Sequence, residues 1–563
     1  MGGALAVVLA APFLLYGLGG APFDDPGEGM HAEIARELRL SGDPLDLRLN
    51  GVPYLDKPAL LYVLLAGAFT VGGEREAAAR AVPAVAALTA VAATAWLGGR
   101  LLGLGGGVLA GGALLTCPGF FAYGRYVRPE TLLLAALAGG FACTLIGIVD
   151  ARRGLIAMGL GAFGVAGLVK DPLATVAPAA VMALAMTLSG RLRPVSRWLP
   201  WSGVLAGLLL AFGWWAAVAA RVPGFAWYAV IDNHLLNVLR VRHFPDEDVP
   251  LAAGQFLAVA ALGAAPWVLA AAVSVIDLVR RRAWREPDEM PWVALTVWAV
   301  SVLALTTLSP FRLPHYGLPA YPALALLAAR AWRGAGRGLG LAHVLGFAAL
   351  AGAALVAWAG DAGAFSARVM SVTDVATRKA ELAGEPMALL PWETIRRLLG
   401  ATGVILGAGA ISLVLVGRRV GARVGVAAVV LITMLALQPC VASALAAVSA
   451  HRAVRGLALE IARAAGPQDL VAHEGPLENS GALEWYSHRR PVIVDGRRSV
   501  LGFGSTVDGA AFFWDAARLR RAWESGQRVW LVTTRARGHS VAGQLPGARL
   551  VMVAGGRRLY VNR

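Results

Sequence analysis

The chain has 563 residues, 57% of them hydrophobic and 15% charged, with a mean hydropathy of +0.62. Soluble domains carry about 25% charged residues, so this composition excludes an ordinary soluble protein and indicates a polytopic membrane protein. The net charge of +16 does not make nucleic acid an expected partner, because the arginines fall in short clusters between apolar runs, as the positive-inside rule describes.

In chain order, the first apolar run covers about residues 4–20. No basic stretch precedes it and no small-residue cleavage pattern precedes Phe23, so a retained first helix is expected. A polar stretch of about 35 residues follows, Asp24 to Pro58, with eight acids, a histidine and Lys57. Helix connections need only a few residues, so a loop this long and this ionisable is expected to carry function. Residues 59–72 are apolar but only 14 long. That is short of the roughly 20 needed to span, so they are expected to be interfacial or re-entrant. Spanning helices are expected at about 80–97, 104–118, 131–149, 155–169, 173–189, 201–219, 253–279, 291–308, 316–332, 341–359, 398–416 and 424–447, thirteen with the first. These runs are too long for barrel strands, and helices satisfy their own backbone in lipid.

Arg100, Arg152 and Arg153, then Arg191, Arg193 and Arg197, fall on one side of this alternation. So do Arg280 to Arg282 with Arg285, then Arg330, Arg333 and Arg337, then Arg418, Arg419 and Arg423. That side is expected to be cytoplasmic. The other side receives the 24–58 loop, residues 119–130, the Lys170-Asp171-Pro172 break, 221–250, 309–316, 360–397 and the C-terminus. Cys117, Cys143 and Cys440 lie in or at the ends of apolar runs, so no disulfide framework is expected.

From about residue 450 the pattern changes. Strand-like runs at Pro491–Val494, Val529–Thr533, Leu550–Val553 and Leu559–Val561 alternate with helix-like runs at Gly481–His488 and Asp515–Ser525. The fold class is therefore an all-α polytopic membrane protein with a small C-terminal α/β domain. Its expected parts are a transmembrane core over 1–335, further helices over 336–449 with a loop at 360–397, and a soluble domain over 450–563.

The chemistry gathers on one side. The first loop offers Asp24, Asp25, Glu28, His31 and Glu33, then Tyr54, Asp56 and Lys57. Clustered carboxylates at a membrane surface suit a general base or a divalent metal. Arginine outnumbers lysine 48 to 3 in this chain, so lysine is not its default cation. Lys57 and Lys170 both sit at expected outer ends of apolar runs, where an ammonium can meet a phosphate at headgroup depth or simply snorkel. Arg125, Arg128 and Glu130 lie just before a helix, and a carboxylate entering a membrane helix needs a polar cavity or a cation. Asn233, His234, Arg240, Arg242 and His243 follow, and His315 with Tyr316 opens a later helix.

Together these residues carry a resemblance. DPGEGMHAEIARE (Asp25 to Glu37), SGD (Ser41 to Asp43) and NGVPYLDKP (Asn50 to Pro58) resemble motifs of the GT-C fold membrane glycosyltransferases. The similarity is to the bacterial branch related to aminoarabinose transferase and protein O-mannosyltransferases. Arg128-Pro129-Glu130, Lys170-Asp171-Pro172, Asn233-His234 with Arg240 and His243, and LPHYGLP (Leu313 to Pro319) follow in family order. The resemblance implies a catalytic acid in the first outer loop, a polyprenyl-phosphate sugar donor and a lysine before proline that contacts the lipid phosphate. It also implies a second acid in the second outer loop. The sequence departs from the pattern at Gly27, where the family usually has aspartate, and at Glu130, where it usually has the shorter acid.

The expected activity is transfer of a sugar from a polyprenyl phosphate to an extracytoplasmic lipid, glycan or protein, with inversion, in the bacterial inner membrane. Glu28, Asp25 and Glu130 are the expected catalytic acids. Lys57, Tyr54, Arg128, Lys170, His243, His315 and Tyr316 are the expected substrate-binding residues. No cofactor is required, though Asp56 with His243 could hold a divalent ion by resemblance. Gly27 also leaves room for a non-catalytic binding or structural protein of this fold. A secondary transporter would instead show repeated halves and helices broken at mid-membrane.

Overall fold

The computed structural model describes residues 2–244, 249–334, 337–361, 363–382, 389–418, 423–496, 501–508 and 510–563. Helix α1 (Gly2–Leu15) leads into the long polar loop, which folds into helix α2 (Gly27–Ser41) and a small antiparallel ladder, β1 (Arg48–Leu49) with β2 (Val52–Pro53). His31, Ile34, Ala35 and Leu38 recur at helical spacing and are all buried. The helix stops at Gly42, whose left-handed backbone lets its N–H donate to the Leu38 carbonyl. The ladder turns at Asn50 and Gly51, both with positive φ, the pair that a tight two-residue hairpin requires. This turn returns the chain to place Tyr54 and Lys57 beside α2.

Helix α3 (Leu60–Gly72) is the expected interfacial segment. Tyr62 near its start bonds His31 of α2, and Glu74 just past its end pairs with Arg39 of the same helix. Both ends therefore lie at one end of the bundle. Thirteen residues reach only about 20 Å, too short for a hydrocarbon core of roughly 30 Å.

Helix α4 (Glu76–Thr116) is a hairpin of two legs, broken at Gly103, whose φ is 77°. A Cβ on Gly107 would come within 2.5 Å of the Ala95 carbonyl oxygen, and one on Gly98 within 3.2 Å of the Gly107 Cα. Such close antiparallel backbones need glycine, and they account for the two spans expected at 80–97 and 104–118. A short helix α5 (Pro118–Tyr123) and helix α6 (Glu130–Val149) follow.

At the far end of the bundle the arginine clusters meet one another. Arg100 pairs with Asp150, Arg153 donates to the Ser196 carbonyl, and Arg191 pairs with Asp288. Arg281 and Arg330 share Glu289. The long polar loop occupies the opposite end.

Among the described residues, seven helices are long and apolar enough to cross a membrane, or eight if a bent pair forms one span. The chain is thus a multi-pass membrane protein, and these lengths do not by themselves fix a count of thirteen. One expected span is corrected. Residues 253–279 form two helices, Ala253–Gly263 and Trp267–Arg280, bent by 104°. Pro266 lacks the N–H that a continuous helix would use and restricts the residue before it. The stretch at 360–397 carries helices Gly363–Thr373 and Val375–Leu382, while 383–388 and the expected arginine at 419 lie outside the described residues. The three cysteines are free.

The C-terminal part contains strands β3 (Leu470–Glu474), β4 (Val492–Val494), β5 (Phe513–Trp514), β6 (Val529–Thr533), β7 (Arg549–Ala554) and β8 (Arg557–Val561). They form one sheet in the order β5-β4-β3-β6-β8-β7. β5, β4, β3 and β6 run parallel, and β8 and β7 close the edge antiparallel. The central strand β3 was not expected from the sequence. Its apolar run LVA is cut short by His473 and Glu474, both of which are nonetheless buried.

This domain docks on α2 through very close backbones. A Cβ on Gly29 would lie 2.5 Å from the Ala482 Cβ, and one on Gly481 would lie 2.6 Å from the Met30 Cα. Phe23 packs edge-on against Trp485 at 5.5 Å, and its N–H donates to the Tyr486 hydroxyl.

Candidate functional site

Separate elements at the loop end of the bundle bring cations to one buried carboxylate. Glu130 opens α6 and is 4% exposed. Lys170, at the end of helix Arg153–Val169, places Nζ 3.5 Å from its Oε1. Arg128 places Nε 3.8 Å from its Oε2, and His315 places Nε2 3.3 Å from Oε1. Burial holds the His315 imidazole down to about 3, against the pull of Glu130, so it is neutral at physiological pH. Lys170 also lies 4.8 Å over the Tyr316 ring, a cation–π contact. Glu130 is therefore the carboxylate that gathers this cluster, and its own charge is committed to the cations around it.

Lys57 joins the same field. Its Nζ donates to Asp56 Oδ2 at 2.6 Å, and its side chain remains 28% exposed. Burial alone would lower its pKa, but the Asp56 carboxylate outweighs that and raises it. Lys57 thus stays an ammonium. Tyr54 is buried and packs edge-on against Tyr62, whose hydroxyl bonds His31 Nδ1 at 3.0 Å. Burial and then Arg128 hold His31 down to about 3, so it too is neutral.

Two of the acids expected to act as bases are occupied. Glu28 is fully buried, and Arg80 grips both its oxygens at 2.8 and 2.5 Å. The Val127 N–H donates to it as well, and Arg80 also donates to the Leu18, Ala21 and Pro22 carbonyls. This arrangement ties the first loop to α4 and the second loop. Asp25 joins the C-terminal domain instead: the Ala482 N–H donates to it at 3.2 Å, and Arg557 lies 3.4 Å away. Burial pushes its carboxyl up to about 7, against Arg557 and the Ala482 N–H.

Asp56 and His243, the expected metal pair, each have other partners. Asp56 takes Lys57 and the Asn233 amide, while His243 turns to Asp232 at 3.6 Å and Trp227. The Lys57 ammonium is seated on the Asp56 Oδ2 atom. Among the described residues, Glu33, Glu37 and Glu484 come close enough together to share an ion. Arg36 and Arg490 already pair with those three acids.

A cavity of about 820 Å³ lies between the bundle, the helices of 363–382 and the C-terminal domain. Its lining includes Asp24, Tyr126, Arg128, Lys379, Arg452 and Arg557. Arg452 is held by Asp374 through two bonds of 2.6 Å. Sequence reasoning missed Tyr126, Lys379, Asp374, Arg452 and Arg557 as members of this site. They come from segments far apart in the chain and belong to none of the motifs, although Lys379 could have been flagged as the third of three lysines.

The fold also occurs in a solved protein. The crystal structure of ArnT from Cupriavidus metallidurans, bound to undecaprenyl phosphate, matches 100% of this chain and 98% of that one, with a TM-score of 0.80 at 22% identity. The chain has the GT-C fold. A family model described as dolichyl-phosphate-mannose-protein mannosyltransferase matches residues 56–216. An undecaprenyl phosphate-α-4-amino-4-deoxy-L-arabinose arabinosyl transferase of Sodalis glossinidius is 28% identical over 318 residues, 54% of this chain and 55% of that protein. Its counterpart in Pseudomonas aeruginosa is 29% identical over 313 residues, 54% of each chain. The chain spans about half the length of the curated relatives it matches. The GT-C architecture expected from the motifs is thus present, with α2, the hairpin and α3 packed over its loop end.

Proposed function

We propose that this GT-C chain is a glycosyltransferase that moves a sugar from a polyprenyl phosphate to an acceptor on the outer side of the bacterial inner membrane. The observation that carries this reading is the convergence of Lys57, Arg128 and Lys170 around Glu130 and Asp56, beside a cavity of about 820 Å³. These cations lie together at a helix end, the depth at which a prenyl phosphate lies. Such preorganised cations stabilise a phosphate as charge develops on the leaving oxygen. The relatives named for undecaprenyl-phosphate-linked sugars support the same donor class. Attack at the anomeric carbon inverts it, and the cavity beneath the C-terminal domain takes the acceptor.

The gathering of arginine clusters at the far end supports an outward-facing site. In a background without native cysteines, Ser41→Cys and Ser525→Cys are expected to react with an impermeant thiol reagent on intact spheroplasts. Ser196→Cys is expected to stay unlabelled. Labelling of Ser196→Cys alone would invert the topology.

One observation favours a second reading. Gly27 carries no carboxylate and Glu28 is held by Arg80, as in a binding protein of this fold that performs no transfer. Transfer itself separates the two. Purified protein is given undecaprenyl phosphate carrying 4-amino-4-deoxy-L-arabinose, mannose or glucose, with bacterial envelope lipids as acceptors, and release of undecaprenyl phosphate is followed.

A further inference from the structure

Several of the acids around the site are paired with cations. Glu28 is held by Arg80, Asp25 by Arg557, Asp56 by Lys57, and Glu130 by Lys170 and Arg128. At Asp25 burial outweighs its cation and pushes the carboxyl up to about 7, but that side chain is tied to the C-terminal domain through the Ala482 N–H and Arg557. Asp24 is different. It is buried and lines the cavity together with Arg128. Its recorded donors are uncharged: the Tyr126 hydroxyl at 2.7 and 2.8 Å and the Glu28 N–H at 3.2 Å.

Gly27 makes this contact possible. A Cβ at position 27 would lie 1.8 Å from the Tyr126 hydroxyl and 3.0 Å from Asp24 Oδ1. Any other side chain there would evict the tyrosine. The missing side chain is thus the space through which Tyr126 reaches Asp24. Tyr126 lies two residues before Arg128, so the second loop positions both the cation and the carboxylate.

We propose that Asp24 is the catalytic base, with Tyr126 as the residue that orients it; this rests on the glycosyltransferase reading above. As the acceptor oxygen forms its bond to the anomeric carbon, the bond from that carbon to the phosphate oxygen breaks. The bonding pair leaves with the polyprenyl phosphate, and the acceptor hydroxyl proton passes to the Asp24 carboxylate and then to water. Gly27 on this view accompanies a carboxylate that has moved along the chain, and it does not mark a lost activity.

The test is Asp24→Asn in the full-length protein, assayed on the three undecaprenyl-phosphate sugars with envelope lipids. The amide keeps an oxygen for both present donors. A general base contributes typically 10²–10⁴-fold, so kcat is expected to fall at least 100-fold while the Kd for undecaprenyl phosphate stays within twofold. Tyr126→Phe is expected to lower kcat about tenfold, with KM and that Kd unchanged, as an orienting role requires. A kcat within threefold of the parent's in Asp24→Asn would overturn the assignment. So would loss of undecaprenyl-phosphate binding, which would make Asp24 a structural group. A parent protein that transfers none of the three sugars would instead sink the glycosyltransferase reading, and this assignment with it.

Discussion

Replacing Arg80 with glutamine is expected to destabilise the folded protein by about 3–5 kcal/mol, the usual cost of leaving one partner of a buried pair without the other. Arg80 and Glu28 are 7% and 0% exposed at their side chains. The guanidinium also supplies donors to three backbone carbonyls between α1 and α2, and glutamine cannot reach all of them. Equilibrium unfolding of the purified protein in detergent measures the loss. The double variant Arg80→Gln with Glu28→Gln should lose less than Arg80→Gln alone, because no uncompensated charge then remains buried. Glu28→Gln alone should act chiefly on stability. A Glu28→Gln protein that is as stable as the parent yet transfers no sugar would return Glu28 to the role of base.

Lys57→Ala is expected to weaken binding of undecaprenyl phosphate at least tenfold. Hydrogen bonds to charged groups contribute roughly 1.5–3 kcal/mol, or about 10- to 150-fold in affinity. Lys57 is still partly open to the site, and Pro58 biases it toward an extended backbone at the foot of α3. Lys57→Arg should recover binding only in part, since a planar fork does not replace a compact ammonium already seated on Asp56. Arg463→Ala, on the exposed face of the C-terminal domain, is the control and should bind as the parent does. Native mass spectrometry of lipid-titrated protein reads all three. Undiminished binding by Lys57→Ala would make that lysine an interfacial anchor only.

Much of the architecture was legible because it follows from hydropathy and charge along the chain. The arginine clusters, the short apolar stretch that became α3, and the paired spans of α4 all needed only local pattern. The bend in 253–279 was not legible from hydropathy, because a proline between two apolar runs leaves the running average unchanged. Strand β3 was missed for a related reason: two polar residues closing a short apolar run look like a surface segment until the rest of their own domain is seen around them, with Arg535, Ser540 and the Val541 N–H bonding Glu474. In the site, the motif residues Lys57, Arg128, Lys170, Glu130 and His315 do converge. What the sequence could not reveal is which carboxylate meets which cation. Glu28 looks like a free acid in the motif, but Arg80, 52 positions away, and the Val127 N–H both hold it. Asp24 looks like the lesser of two adjacent aspartates until Tyr126 and the bare backbone of Gly27 are seen beside it.

The most direct test of the central claim is transfer by the purified parent protein. Undecaprenyl phosphate carrying 4-amino-4-deoxy-L-arabinose, mannose or glucose is supplied with bacterial envelope lipids, and free undecaprenyl phosphate and glycosylated product are quantified by mass spectrometry. The account predicts that at least one donor is consumed, with undecaprenyl phosphate and glycosylated acceptor appearing in equal amounts and neither appearing without acceptor lipids. Tight binding of undecaprenyl phosphate with no consumption of any donor would contradict it, and would make the chain a lipid-phosphate-binding protein of the same fold.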